Sequence, residues 1–164
     1  MDATQTAMTD YLNQEIGAAR ELTDVLQEEQ NHLLSASIDE LEPLVAKKAS
    51  LVAQLTQYTQ RRHDYLKNAG YETTLAGMGT WIENSKDQPG NINIEKNWSE
   101  LVSLSQSARE LNRLNGMLIS SHMVRNQQAL SILHGNNQPN AGMYGPDGQP
   151  SRIAATPLRS VVTG

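Results

Sequence analysis

Along the first third of the chain, apolar residues recur at steps of three and four. Leu12, Ile16, Ala19, Leu22, Val25, Leu26 and Leu33 stand among Thr, Gln, Asp and Glu. Such spacing lays one apolar stripe along a helix and leaves the other faces polar, so it predicts a long amphipathic helix over roughly 3–34. A second stripe, Ile38, Leu41, Leu44, Val45, Leu51, Val52, Leu55, Tyr58, Tyr65 and Leu66, predicts a helix over 38–69. That helix would be about 48 Å long at 1.5 Å per residue. Between them, Ser37 and Glu40 have the spacing of a capping box. Pro43 lies too deep for a helix that starts at 38, so a kink or a true start is expected near it. Gly70 is the expected stop, because glycine enters the left-handed region without a Cβ clash.

A third stripe, Ile94, Trp98, Leu101, Leu104, Ala108, Leu111, Leu114 and Leu118, then Ile119, Leu130 and Leu133, predicts a long helix over about 93–134, capped by Asn91 or Asn93. After Leu118 the stripe thins, interrupted by His122, Arg125, Asn126, Gln127 and Gln128, so this end is expected to project or fray. Residues 71–93 read less clearly. A short helix with Leu75, Met78, Trp81 and Ile82 on one side is weakened by Gly77 and Gly79, and "KDQPGN" is a loop. From Gly135 onward the pattern stops. Four of six prolines and five of eleven glycines fall in 135–164, a segment expected to stay disordered when free. The expected organisation is therefore a helical bundle domain over 1–134 and a flexible Gly/Pro-rich tail over 135–164. The fold class is all-α: a long antiparallel helical hairpin with a third long helix, forming a bundle or coiled coil.

Composition sharpens this picture. The 164 residues contain no Phe and no Cys. The core must be built from aliphatic side chains along narrow seams, and neither disulfides nor thiolate metal sites are available. The net charge of −5 argues against nucleic acid as main partner. No apolar run reaches the roughly 20 residues of a membrane span, and the N-terminus lacks the pattern of a secretion signal, so a cytoplasmic protein is expected. Charge is also divided within the hairpin. Residues 2–42 hold ten acids and one base, Arg20, while 43–69 hold five bases and one acid, Asp64. Packed side by side, the two helices are expected to attract along their flanks.

Chemistry is sparse. Glu29 and His32 have the E-x-x-H spacing of a di-metal bundle, but the second E-x-x-H that such a site needs is missing, so neither a metal nor another cofactor is expected. Gly77-Met78-Gly79 is half of a phosphate fingerprint without the third glycine, and no nucleophile constellation appears. No catalytic residue is assigned. "LNRLNGMLIS" (111–120) offers two readings: a close helix crossing at Gly116 with Asn112 and Asn115 bonding across the seam, or a groove for a partner. Leu118, Ile119, Met123, Leu130, Ile132 and Leu133 exceed what one narrow seam needs; either they complete the intramolecular core, or they form the candidate docking face for another protein's amphipathic helix. In the tail, Tyr144 is followed by Gly-Pro-Asp-Gly, a turn sequence that offers two readings: one aromatic anchor for a partner, or an ordinary exposed tyrosine in a linker, which the residues alone slightly favour.

The stretches "EPLVAKKASLVAQL" (42–55), "LNRLNGMLI" (111–119), "NQQALSIL" (126–133) and "YGPDGQ" (144–149) together resemble the FlgN family of flagellar type III export chaperones. The resemblance implies a non-enzymatic helical bundle of the bacterial cytosol. It implies binding of the C-terminal helical ends of the hook–filament junction (hook-associated) proteins FlgK and FlgL, and delivery to the export gate protein FlhA. It also implies that the last helix and tail hold substrate, and that Tyr144, with Gly145 and Gly148, docks the gate. Two readings of a different class compete with this one. One is a structural coiled-coil adaptor or filament protein, whose stripes are all used in self-assembly. The other is a bundle metalloenzyme built on Glu29 and His32.

Overall fold

The computed structural model describes residues 3–136. The chain divides into two units, Met1–Ser121 and His122–Gly164. Among the described residues four α-helices are formed, α1 (Ala3–Leu34), α2 (Leu41–Asn68), α3 (Leu75–Asn84) and α4 (Asn91–Asn136), with a single 3-10 turn, Ile38–Glu40, ahead of α2. The three long helices fall within a few residues of their predicted spans. Among the described residues there are no strands.

The turn between α1 and α2 is made by means other than the predicted capping box. Neither Ser37 nor Glu40 makes a side-chain cap bond, and the Ser37 hydroxyl instead lies 3.0 Å from that of Ser35. The stop lies one residue earlier. The Ser37 N–H donates to the His32 carbonyl (2.9 Å) and Ala36 N–H to that of Leu33 (3.4 Å), with Ala36 at φ 56°. This is a Schellman end in which alanine holds the position glycine prefers. Pro43 is the third residue of α2, where a missing N–H costs no helix bond, so the true start near it is the outcome rather than a kink. At the far end Gly70 (φ 82°) completes a second Schellman motif. Tyr71 N–H donates to Leu66 (2.9 Å) and Gly70 N–H to Lys67 (3.0 Å), while Tyr71 packs in the apolar cluster that holds Leu66.

The α1–α2 pairing is antiparallel, and two ion pairs with buried carboxylates fix its register. Glu15 meets Arg62 (2.7 Å) and Glu29 meets Lys48 (2.7 Å). In each pair the two residue numbers add to 77, so one register satisfies both, and it also sets Leu26 opposite Leu51 within one apolar cluster. The attraction anticipated along exposed flanks therefore lies inside the seam, where both carboxylates are buried. A slip of one turn would strand two buried charges, which is how such pairs specify register.

Within the first unit α4 runs parallel to α1. Asn97 bonds Asn13 (2.9 Å), Arg20 pairs with Glu100, and Asn115 reaches the α1 turn at Leu26 (2.8 Å) and Glu29 (2.7 Å), so contacts advance together along both helices. The seven α1 positions read from the sequence are all buried, joined by Met8. On α2 only Leu44, Leu51 and Leu66 of the predicted stripe are buried, and Val45 and Val52 remain about half exposed.

Helix α3 closes the end of this three-helix body. Met78, Trp81 and Ile82 join Met8, Leu12, Leu66 and Ile94 in one cluster, and an edge-to-face series links Tyr11 to Tyr65 (5.8 Å) and Tyr65 to Trp81 (6.3 Å). Thr74 caps α3 by accepting the Gly77 N–H (3.0 Å). Gly77 is no defect. A Cβ there would stand 2.0 Å from the Glu72 carbonyl oxygen, so the incoming chain passes where a side chain would be. Asn91 opens α4 and is buried; its side-chain amide donates to Ile82 (3.2 Å) and ties α4 to α3 instead of capping its own helix. α4 stays helical to Asn136.

Candidate functional site

Two polar clamps and a cleft define the first unit. At one clamp the Arg62 guanidinium donates to both Glu15 oxygens (2.7 and 3.3 Å), Thr59 donates to the same carboxylate (3.1 Å), and the guanidinium lies 4.9 Å from the centre of the Trp98 ring. The group thus joins α1, α2 and α4. At the other clamp Lys48 and Asn115 both donate to Glu29. Glu15 and Glu29 stand two heptads apart on α1, as do Arg62 and Lys48 on α2. Glu29, half of the E-x-x-H spacing, is thereby committed to α2 and α4, while His32 is half-buried with Glu28 3.9 Å away. No cluster of three or more His, Cys, Asp or Glu side chains suited to a metal is formed among the described residues.

Between the clamps a cleft of about 650 Å³ opens over α1, walled by α2 and α4. Ala19, Leu22 and Leu26 form its floor; Val45, Ala49 and Val52 line the α2 wall, and Leu101, Ser105 and Ala108 the α4 wall. The two readings of 111–120 divide between its asparagines. Asn115 bonds across the seam, whereas Asn112 lines the cleft. Gly116 serves no close crossing, since nothing lies within 4 Å of where its Cβ would be. The sequence reading missed this cleft. Its signal was available in α2, where Val45, Ala49 and Val52 repeat at heptad steps beside the stripe that faces α1.

The predicted docking residues have these positions. In the first unit Leu118 is half-buried and Ile119 exposed. In the second, Met123, Leu130, Ile132 and Leu133 are all more than half exposed. At 100° per residue, Met123, Leu130 and Leu133 share a helix face, while Ile132 stands on the opposite one. Tyr144, Gly145 and Gly148 lie outside the described residues.

The titratable side chains in the seam are tied to one another, and the cleft over α1 is lined mainly by apolar side chains. The class defined by fold and site is an all-helical bundle protein with an open, mainly apolar cleft. The comparisons with known proteins agree. The FlgN protein family model matches residues 1–152. Flagella synthesis protein FlgN of Salmonella typhimurium and that of Escherichia coli K12 are each 28% identical over 148 residues, covering 89% of this chain and 91% of the relative. The Proteus mirabilis protein of the same name is 28% identical over 143 residues, with 86% and 88% covered. In fold, a crystal structure of a flagella synthesis protein FlgN from Pseudomonas aeruginosa is similar, with a TM-score of 0.61 at 23% identity over 67% of this chain and 84% of that one. The chain belongs to the FlgN family, a non-enzymatic family of flagellar chaperones. No helix among the described residues is long and apolar enough to cross a membrane.

Proposed function

We propose that this protein is a cytosolic export chaperone. It holds the C-terminal helical ends of the hook-associated proteins FlgK and FlgL soluble and unassembled, and it brings them to the export gate protein FlhA. The observation that carries this reading is the shared face of exposed large side chains near the end of α4, Met123, Leu130 and Leu133. Left in water these represent apolar surface that an amphipathic helix could cover at about 25 cal/mol per Å² buried, and methionine adapts to more than one cargo. Tyr144, followed by Gly145 and Gly148, is the proposed gate contact, a single aromatic in a stretch whose residue types favour a turn.

The test measures both affinities in one set of variants. Met123→Ser with Leu130→Ser is expected to weaken binding of a hook-associated C-terminal fragment by about ten- to a hundredfold, the range of anchor residues. Tyr144→Ala is expected to abolish gate binding and leave fragment affinity unchanged. Wild-type fragment binding in the double variant would defeat the reading. So would a wild-type mass that grows with concentration into long assemblies, the mark of a filament protein.

A further inference from the structure

The cleft between α2 and α4 is a second apolar surface that the terminal stretch of α4 does not account for. It lies wholly within the first unit, over α1. Its α2 wall, Val45 to Thr59, is about 21 Å long at 1.5 Å per residue, room for a helix of about two heptads. Val45 and Val52 are 52% and 48% exposed, although they sit at heptad steps on a helix whose neighbouring stripe is already buried. The floor and walls include Ala19, Ala49, Ser105 and Ala108, small enough for a helix backbone to come close. Three long helices are present where such a bundle accommodates four.

Charge selects the occupant. Three charged side chains line the cleft, Glu15, Lys48 and Arg109. Glu15 is neutralised by Arg62 and Lys48 by Glu29. Arg109, exposed on the α4 rim, forms no ion pair with any described residue. We infer that the cleft takes one amphipathic helix of the export cargo, about two heptads long, with small and medium apolar residues toward α1 and a carboxylate on the flank facing Arg109. The cargo helix thereby completes a four-helix bundle. This rests on the chaperone reading and adds to it where a helix of the cargo sits and which charge it carries. A second copy fits poorly, because two clefts facing across a two-fold axis would set hollow against hollow and Arg109 against its own kind.

The test uses the full chain and a fluorescently labelled C-terminal fragment of a hook-associated protein. Val52→Glu is expected to weaken binding at least tenfold, and Arg109→Glu about three- to tenfold with a loss of salt sensitivity. Both should melt like the wild type; should Val52→Glu melt lower, Arg109→Glu carries the measurement alone. Because the chain has no cysteine, Val52→Cys accepts a photo-crosslinker at one place, expected to link to the cargo helix. If the fragment binds the wild type and both charge variants equally, while Met123→Ser with Leu130→Ser loses it, the cleft assignment falls and the chaperone reading stands. If the wild type does not bind the fragment at all, both fall. A crosslink to a second copy, or to residues 137–164, overturns the choice of occupant.

Discussion

Replacing Arg62 by methionine is expected to be among the most damaging single changes in this protein. The guanidinium supplies two of the three hydrogen bonds that the Glu15 carboxylate receives, at 2.7 and 3.3 Å, leaving Thr59 at 3.1 Å as the remaining donor. Glu15 is 2% exposed, so water cannot replace what is lost. Breaking a buried pair by removing one partner costs about 3–5 kcal/mol, since a charge stays behind without compensation. The contact with Trp98 at 4.9 Å is lost in the same step, so the upper part of that range is expected. Against a total stability of about 5–15 kcal/mol this is a large fraction, corresponding to a melting temperature lower by about 10–20 °C. The double variant Glu15→Leu with Arg62→Met removes charge and countercharge together. It should recover most of the loss, to within about 1–2 kcal/mol of wild type. Urea unfolding followed by circular dichroism measures all four corners of this cycle. If the single variant cost less than about 1 kcal/mol, or the double variant were as unstable as the single, Glu15 and Arg62 would not be the coupled, desolvated pair described above.

Two glycine-related positions should move stability in opposite directions. Ala36→Gly relieves the left-handed strain at φ 56° and is expected to stabilise by about 0.5–1 kcal/mol, whereas Gly77→Ala places a Cβ 2.0 Å from a backbone oxygen and should destabilise by about 1–3 kcal/mol or more, both read from urea midpoints. The His63 imidazole is held below its ordinary pKa, first by burial and then by the nearby Arg62 guanidinium, against weaker opposing effects of Glu15 and Asp64. The unfolded chain therefore binds the proton more tightly. The contribution of this group is complete above the ordinary value near ~6.5 and is lost as pH falls through it toward the lower folded value. His63→Gln should flatten the stability profile between about pH 7 and 5, and an unchanged slope in that window would remove His63 as its cause.

Much of the fold was legible because local chemistry and helix period agreed. The α1 stripe read from spacing alone is buried at every position named for it, and Gly70 terminates α2 through the backbone geometry its missing Cβ permits. Legibility failed where a residue's role depended on a distant segment. Gly77 looked like a weakness in a short helix, yet it is required by the path of Glu72. Ser37 and Glu40 had capping-box spacing, but the two N–H groups such a box would satisfy are already taken, that of Ser37 by the His32 carbonyl and that of Glu40 by the Ser37 carbonyl. Of the candidate docking residues, the sequence suggested one apolar face, and helix geometry separates Ile132 from Met123, Leu130 and Leu133.

By itself the sequence determined that this chain makes long amphipathic helices with aliphatic seams. Those properties follow from period, composition and local backbone preference, which neighbours along the chain decide. The tertiary structure decided which of α2's two adjacent stripes is buried and which stays open as a cleft. It also placed the opposite charges of the hairpin inside the seam as two clamps instead of along its flanks. Both outcomes depend on how three helices are disposed about one another, and a pattern within any single helix is equally consistent with a filled or an unfilled fourth position.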